Sequence, residues 1–200
     1  MDRIDLMVDL ETLGKGENPQ LLQITAIPFD LTDETKDFSG MEFERFIDIG
    51  ISDCINGDTL KWWLNTNREL LTDLVNKGNT AESVAVFDFI EYIQHLQHKI
   101  DGDTPVYLWG NGILFDNRIL SEKCKQYDWA YPIYYRNDRD VRTINELAAL
   151  KLGMSSAEDF RKSIENTGVE HNARDDVLYQ IKCVQKAYQV LMGTKEDFWE

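Results

Sequence analysis

Two carboxylates stand two residues apart near the start of the chain, at Asp9 and Glu11, in the apolar segment 4–11. Side chains two apart on a β-strand point to the same face, so both acids are predicted to face one spot. Two close negative charges raise each other's pKa unless a cation lies between them. The pair predicts a divalent-metal site. The alternative is a solvated strand end, because the D-x-E spacing alone is not specific.

A further acid follows the strongly apolar segment 106–109, which predicts a central strand beside the first one. The chain then passes through Asn111 and Gly112 into a helix that is predicted to begin at Asp116. Sites in α/β proteins gather at the ends of central strands, so Asp116 is well placed to join Asp9 and Glu11. The alternative is that Asn111 and Gly112 form only a turn, while Asp116 only faces the helix dipole.

The last chemical signal is the segment HNARDD at residues 171–176. His171 and Asp176 are five residues apart, about 140° around a helix, so they would not share a face of one continuous helix. The conflict disappears if the helix starts after His171, with Asn172 as its N-cap and Asp175 three residues on. The sequence then predicts a mobile base, His171, on a loop and a rigidly held ligand, Asp176, in the first turn.

Composition restricts the class of protein and its partners. The chain has 200 residues, of which 42% are hydrophobic, so we expect a single α/β domain over residues 1–200. The net charge of −15 argues against non-specific electrostatic binding to a polyanion, so any contact with nucleic acid must be local. No signal peptide or membrane-length apolar stretch is visible, and the three scattered cysteines indicate reduced thiols. We therefore expect a cytoplasmic protein without a membrane partner.

The predicted elements follow the order βββ-α-β-α-β-α-α, which fits a mixed sheet flanked by helices. Strands are predicted over residues 4–11, 21–29, 41–49, 106–109 and 133–136, the first three as an antiparallel meander. Helices are predicted over residues 59–64, 68–76, 80–100, 116–127, through 144–150 to an end near 153, and over a short stretch within 154–168. In the helix 80–100, Thr80 is the predicted N-cap, Glu82 lies in the first turn, and Phe89, Ile93, Leu96 and Ile100 form an apolar stripe. The final helix follows the N-cap Asn172, carries apolar residues at helical spacing over 177–191 and stops at Gly193.

Three motifs in this order carry a resemblance to a known family: DLET at 9–12, N-x-x-x-F-D at 111–116 and H-x-A-x-x-D at 171–176. Together they resemble the exonuclease motifs of the DnaQ-like, DEDDh group of 3′–5′ exonucleases. The segments TLKWWL at 59–64 and RDVRT at 139–143 are similar to one branch of that family, which contains the phage and prophage exonuclease A proteins and small bacterial exoribonucleases.

The resemblance implies a ribonuclease H-like fold with a mixed five-stranded sheet, and a catalytic set of four acids and one histidine. These residues are Asp9, Glu11, Asp116, Asp176 and His171. The acids would bind two divalent metal ions, Mg²⁺ or Mn²⁺, which carboxylate ligands suit: Asp9, Glu11 and Asp176 hold one, while Asp9 and Asp116 hold the second. His171 would be the general base. The products would be nucleoside 5′-monophosphates released from the 3′ end of RNA or single-stranded DNA.

Further residues are predicted to contact the single-stranded 3′ end: Leu10, Thr12 and Leu13 near the terminal nucleotide, then Trp62, Asn111 and Arg142. Of the adjacent tryptophans Trp62 and Trp63, we expect one to stack on a base and one to pack in the core. Arg139, Arg142 and Arg174 are candidates for backbone phosphates, with pairing to surface carboxylates as the alternative.

Other interpretations stay open. A docking module without catalysis is disfavoured because all four acids and the histidine are present, and a small-nucleotide phosphohydrolase would need a closed pocket around the site. His95 and His98 have the spacing H-x-x-H but lack a tight set of zinc ligands. The sequence leaves open RNA or DNA as substrate, and monomer or homodimer as the assembly.

Overall fold

The fold is described from a computed structural model for residues 3–50, 54–101, 104–169 and 171–193, leaving aside the side chains at 99–101. Five strands form one sheet: β1 (Ile4–Thr12), β2 (Leu21–Phe29), β3 (Phe43–Phe46), β4 (Val106–Gly110) and β5 (Asp138–Asp140). Their spatial order is β3-β2-β1-β4-β5. The pairs β1–β2 and β2–β3 are antiparallel, whereas β1–β4 and β4–β5 are parallel. The predicted mixed five-stranded sheet is confirmed, as is the predicted pairing of the first and fourth strands.

Helices flank this sheet: α1 (Gly57–Thr66), α2 (Arg68–Lys77), α3 (Glu82–Asp101), α4 (Asp116–Gln126), α5 (Val141–Leu152), α6 (Ala157–Lys162) and α7 (Ala173–Met192). The predicted helices are all present; α1 and α2 are longer than predicted, whereas α3 and α4 are slightly shorter. In α3 the predicted apolar stripe is buried at Phe89, Ile93 and Leu96, while its last member, Ile100, lies outside the described side chains. Within the described residues no helix is both long and apolar enough to cross a membrane.

The first strand, β1, belongs to two hydrophobic cores because its alternate side chains face opposite sides of the sheet. Leu6 and Val8 pack in the core covered by α3 and α4. Met7 packs in the other core, with residues of α7. Asp9 and Glu11 follow Met7 at every second position of β1, so they lie on the side of the sheet that α7 covers.

The prediction of a strand over residues 133–136 is wrong. The edge strand is β5, which begins two residues after the end of the predicted strand and pairs Asp138 with Leu108 of β4. The apolar residues before it form a turn, in which the N–H of Asn137 donates to the carbonyl of Tyr134 at 2.7 Å. The side chain of Asn137 also donates to the carbonyl of Val106 at 3.1 Å, so it takes a place on β4 that a strand residue would occupy.

Two predicted boundaries near Thr80 are also wrong. Thr80 is not an N-cap: it forms a parallel bridge with Ile47, and the first helical hydrogen bond of α3 runs from Ala85 to the carbonyl of Ala81. The predicted strand 41–49 is shortened to β3, because the chain leaves the β2 ladder to form that bridge. Glu82 does lie in the first turn of α3, as predicted.

Candidate active site

Three carboxylates from two elements meet at the carboxyl end of β1. Asp9 and Glu11 come from β1 and Asp176 from the first turn of α7, and one oxygen of each lies within 4.8 Å of the others. This spacing fits one hard divalent cation whose oxygen ligands lie at about 2–2.6 Å. Among the described residues this is the only such group of possible ligands, and neither His95 nor His98 belongs to it.

Asp116 lies next to this group, at the start of α4. Its side chain is buried, and burial raises its pKa to about 7 even though a backbone hydrogen bond from Leu10 and the charge of Arg142 oppose the rise. Asp116 lies outside the 4.8 Å group, but its charge is the second-largest cause of the raised pKa of Asp9. The structure therefore brings all four predicted acids into one electrostatic cluster.

The cluster holds more negative charge than its surroundings neutralise. Burial and the charge of Asp116 raise the pKa of Asp9 well above its usual range. Burial and the charge of Asp9 do the same for Glu11. Buried carboxylates that raise each other's pKa mark candidate functional sites, and a bound cation is the simplest way to ionise all of them at neutral pH. The donor atoms and the charge of the cluster fit divalent metal ions.

One contact in the cluster is absent from the sequence prediction. The side-chain nitrogen of Gln180 donates to Oδ1 of Asp9 at 2.9 Å, and Gln180 is only 4% exposed. Its side-chain oxygen is buried and has no hydrogen-bond partner among the described residues. Gln180 stands four residues after Asp176, which puts both side chains on one face of α7. That spacing is the only sequence signal that points to Gln180.

His171 lies just outside α7, as the sequence predicts. Asn172 is the N-cap and accepts hydrogen bonds from the backbone of Arg174 and Asp175. His171 itself has a left-handed backbone with φ +66°, and its N–H donates to Oδ2 of Asp176 at 3.0 Å. The loop that carries the predicted base is thus hydrogen-bonded to a predicted metal ligand.

The two tryptophans of α1 form an aromatic wall beside His171. Trp63 is buried and its Nε1 donates to the carbonyl of Thr12 at 3.0 Å, whereas Trp62 is 39% exposed. The imidazole of His171 meets the ring of Trp62 edge-to-face, with centroids 4.9 Å apart. Trp63 packs in the core, while Trp62 is the tryptophan that solvent and a ligand can reach.

The predicted contacts on β1 and the segment that follows it are mostly buried. The side chains of Leu10 and Leu13 lie in two different hydrophobic cores, and the hydroxyl of Thr12 donates to the carbonyl of Gly14 at 2.6 Å. The parity of β1 turns Leu10 away from Asp9 and Glu11. A nucleotide near these residues would meet their backbone before it met their side chains.

Asn111 and Arg142 lie near Asp116, because a backbone hydrogen bond from Asn111 and the charge of Arg142 both oppose the rise in its pKa. The side-chain oxygen of Asn111 is buried without a hydrogen-bond partner among the residues that the structure describes. Arg142 is exposed, and its guanidinium packs against Gly112, where a Cβ would lie 3.3 Å from Cζ of Arg142. Gly112 also has φ +119°, so both its backbone and its neighbour favour glycine there. Arg142 is thus held at the loop that leads to Asp116.

The remaining arginine candidates, Arg174 and Arg139, have partners within the protein. Arg174 pairs with Glu42 at 2.9 Å, which is the alternative that the sequence left open for it. Arg139 packs on the ring of Tyr107, with Cζ 4.4 Å from the centroid. Within the described residues the three cysteines form no disulfide: Cys54 is exposed, whereas Cys124 and Cys183 are buried.

Comparison with known proteins places this arrangement in a family. A family model described as the Rv2179c-like 3′–5′ exoribonuclease domain matches residues 4–188, from β1 into α7. The exodeoxyribonuclease of Enterobacteria phage T4 is 22% identical over 217 residues, which cover 96% of this chain and 92% of the phage protein.

Solved structures show the same fold at low sequence identity. Cell-death related nuclease 4 (CRN-4) has a TM-score of 0.69 at 15% identity; the match covers 96% of this chain but 65% of that nuclease. The nuclease domain of 3′hExo, a DEDDh family member bound to rAMP, has a TM-score of 0.61 at 14% identity and coverages of 96% and 94%. S. pombe Pop2p, solved with Mg²⁺ and Mn²⁺, has a TM-score of 0.61 at 13% identity and coverages of 92% and 82%.

Proposed function

Because the chain belongs to the Rv2179c-like family and is therefore a 3′–5′ exonuclease, we propose that it removes nucleoside 5′-monophosphates from the 3′ end of RNA or single-stranded DNA in a metal-dependent reaction. The observation that carries this proposal is the meeting of Asp9, Glu11 and Asp176 within 4.8 Å, with Asp116 beside them. The family gives the direction of cleavage, and the acidic cluster supports the metal dependence.

We assign the metal ligands from the donor set. Asp9, Glu11 and Asp176 would hold one Mg²⁺ or Mn²⁺ ion, and Asp9 with Asp116 would hold a second, since these ions prefer carboxylate oxygens. When bound, such ions lower the pKa of a water and clamp the attacking and leaving oxygens of an in-line phosphoryl displacement. Gln180 keeps Asp9 oriented by occupying one of its oxygens.

His171 is the proposed general base. It stands on the loop before α7, and its backbone N–H donates to Asp176, so the loop is held next to the acids. It takes a proton from the attacking water. The new bond joins the water oxygen to phosphorus, and the bond that breaks joins phosphorus to the 3′ oxygen of the preceding nucleotide. That oxygen takes up a proton from solvent and leaves as the new 3′ hydroxyl.

The proposed substrate contacts surround this centre. Trp62 is exposed next to His171 and is the proposed stacking partner for a base near the 3′ end. Asn111, whose side-chain oxygen has no hydrogen-bond partner among the described residues, and the exposed Arg142 are proposed to bind the terminal sugar and phosphate. Thr12 and its neighbours Leu10 and Leu13 would contribute backbone groups to the same nucleotide.

The proposal is tested with RNA and DNA oligonucleotides of one sequence, labelled at the 5′ end. We expect both a ladder of shortened products with Mg²⁺ and intact substrate with EDTA for at least one of the two polymers. A 3′-phosphorylated copy and a circular single strand should resist cleavage, because neither offers a free 3′ hydroxyl. Cleavage of the circle, or unchanged activity in EDTA, would contradict the proposal.

A further inference from the structure

Three arginines at intervals of three residues, Arg136, Arg139 and Arg142, lie along the segment that forms the β5 edge of the sheet. Within the part of the chain that the structure describes, none of them forms an ion pair with a carboxylate. The other arginines do, apart from Arg68 on α2: the paired ones are Arg3, Arg45, Arg118, Arg161 and Arg174. Unpaired arginines at one edge are unexpected in a chain of net charge −15.

The acids between these arginines are engaged inside the protein instead. Asp138 accepts a 2.7 Å hydrogen bond from the side chain of Asn117. Asp140 caps α5 with one oxygen, which accepts from the N–H of Thr143 at 2.8 Å, and accepts from the N–H of Ile113 at 3.1 Å with the other. The carboxylates of β5 therefore form hydrogen bonds within the fold. Nη1 of Arg139 donates to the carbonyls of Arg136 and Asp138 at 2.8 and 2.9 Å, and the charge of Arg139 opposes the rise in the pKa of Asp138 that burial causes. Among the described residues no carboxylate forms an ion pair with Arg136 or Arg139, so their charge is open to an anionic partner.

Aromatic rings stand next to two of the guanidiniums. Cζ of Arg139 lies 4.4 Å from the ring centroid of Tyr107. Nε of Arg136 donates to the hydroxyl of Tyr135 at 2.8 Å, and the rings of Tyr134 and Tyr135 are 4.7 Å apart. These last two tyrosines are 56% and 67% exposed. Exposed aromatic rings alternating with arginines are the surface chemistry that binds single-stranded nucleic acid, since rings stack on bases and guanidiniums contact phosphates.

The same row leads to the candidate active site. Arg139 pairs in register with Trp109 on β4, and Asp140 pairs with Gly110. One residue beyond Gly110 is Asn111, and Arg142 packs against Gly112 in the same loop. The loop then enters α4 at Asp116. A single-stranded nucleic acid that binds along the β5 edge would therefore extend toward the four acids.

We propose that the β5 edge patch, defined by Tyr107, Tyr134, Tyr135, Arg136 and Arg139, binds single-stranded nucleic acid on the 5′ side of the nucleotides being removed. Arg136 and Arg139 contact phosphates, and Tyr134 and Tyr135 stack on bases. The proposal rests on the proposed function, because it takes the 3′ end to lie among the acids. It makes the enzyme sensitive to substrate length, since a dinucleotide does not reach the patch.

The test compares kcat/KM on a dinucleotide and on a single strand of about 20 nucleotides, a length that exceeds one stacking site. The test variant combines Arg136→Gln and Arg139→Gln. The control is Arg68→Gln, because Arg68 is also exposed and forms no ion pair among the described residues. It lies on α2, which packs near β2 and β3 at the opposite edge of the sheet. We expect the double variant to lose about tenfold on the long strand and to keep its dinucleotide activity.

Salt dependence gives a second readout. Removal of one arginine–phosphate interaction should reduce the slope of log affinity against log salt by about 0.7 for a single strand. Binding of a fluorescent strand in EDTA measures this slope without cleavage, so the patch is tested even if the wild type cleaves neither substrate and the proposed function fails. A Tyr135→Leu variant should weaken binding of the long strand while it leaves the salt slope unchanged.

Three results would overturn the proposal: equal activity of the double variant and the wild type on the long strand, an equal loss on both lengths, or the same loss in Arg68→Gln. The first would assign the arginines to protection of the sheet edge against pairing with other chains. The second would place them at the scissile nucleotide. The third would show that the loss of activity comes from the lower positive charge of the whole protein and not from the position of these arginines.

Discussion

The backbone N–H of His171 donates a 3.0 Å hydrogen bond to Oδ2 of Asp176, which joins the proposed general base to a proposed metal ligand. His171 has a left-handed backbone, φ +66°, which costs a residue other than glycine about 1–3 kcal/mol. The carboxylate of Asp176 helps to hold the loop in that conformation. We therefore propose two separable roles for Asp176: a metal ligand through its charge, and an anchor for the loop through the hydrogen bond that its oxygen accepts.

Substitutions of Asp176 should separate these roles. Asp176→Asn keeps an oxygen for the N–H of His171 but removes the charge, whereas Asp176→Ala removes both. We expect both variants to lose turnover, and only Asp176→Ala to expose the His171 amide to rapid hydrogen exchange. Equal exchange of that amide in the wild type and in Asp176→Ala would show that the hydrogen bond does not hold the loop.

The His171→Ala variant tests the general base. Such catalysis contributes roughly 10²–10⁴-fold, so kcat should fall by that factor while Mn²⁺ affinity stays nearly intact, because the four acids remain. A kcat in His171→Ala equal to that of the wild type would contradict the role of general base. A loss that appears only in KM would give His171 a substrate-contacting role instead.

A Gln180→Ala variant removes the hydrogen bond to Asp9. Loss of a residue that orients a metal ligand typically costs about 10–100-fold in metal affinity or activity. We expect Mn²⁺ binding to weaken within that range. The matched control is Gln185→Ala, since Gln185 is also buried on α7 but donates to the carbonyl of Asp30, in the loop that follows β2. The prediction fails if the two variants bind Mn²⁺ equally well.

Stability without metal should depend on pH in a defined direction. Burial raises the pKa of Asp116 to about 7 and raises those of Asp9 and Glu11 well above their usual range. The folded state then binds more protons than the unfolded state, so the free energy of unfolding falls as pH rises from about 5 to about 8. Urea titrations in EDTA should show this decrease, and Mg²⁺ or an Asp116→Asn substitution should reduce it. A metal-free protein that gains stability over this range would contradict the raised pKa values.

Local geometry explains which parts of the site could be predicted from the sequence. The alternation of a strand is enough to put Asp9 and Glu11 on one face, and the angle per residue of a helix is enough to exclude His171 from α7. By contrast, Gln180 acquires its role only because α7 packs across β1, and nothing local specifies that contact. The shared motif order supplied the link between these segments.

The edge strand shows the opposite limit. The segment 133–136, with one isoleucine and two tyrosines, has the composition of a strand, but the polar residues of β5 pair with β4. Hydrogen bonds from Asn137 to β4 and from Asn117 to Asp138 set that register, and both join residues that are distant in the sequence. A three-residue strand without alternation gives no periodic signal to detect.

Calorimetric titration of Mn²⁺ into the wild type and into Asp9→Asn tests the central claim most directly, because Asp9 is the ligand proposed to serve both ions. We predict that the wild type binds Mn²⁺ and that the variant loses most of this binding together with turnover. The variant should stay folded, and in metal-free buffer it should be at least as stable as the wild type, since the substitution relieves repulsion with Glu11 and Asp176. Unchanged Mn²⁺ binding in a folded Asp9→Asn variant would contradict the metal site.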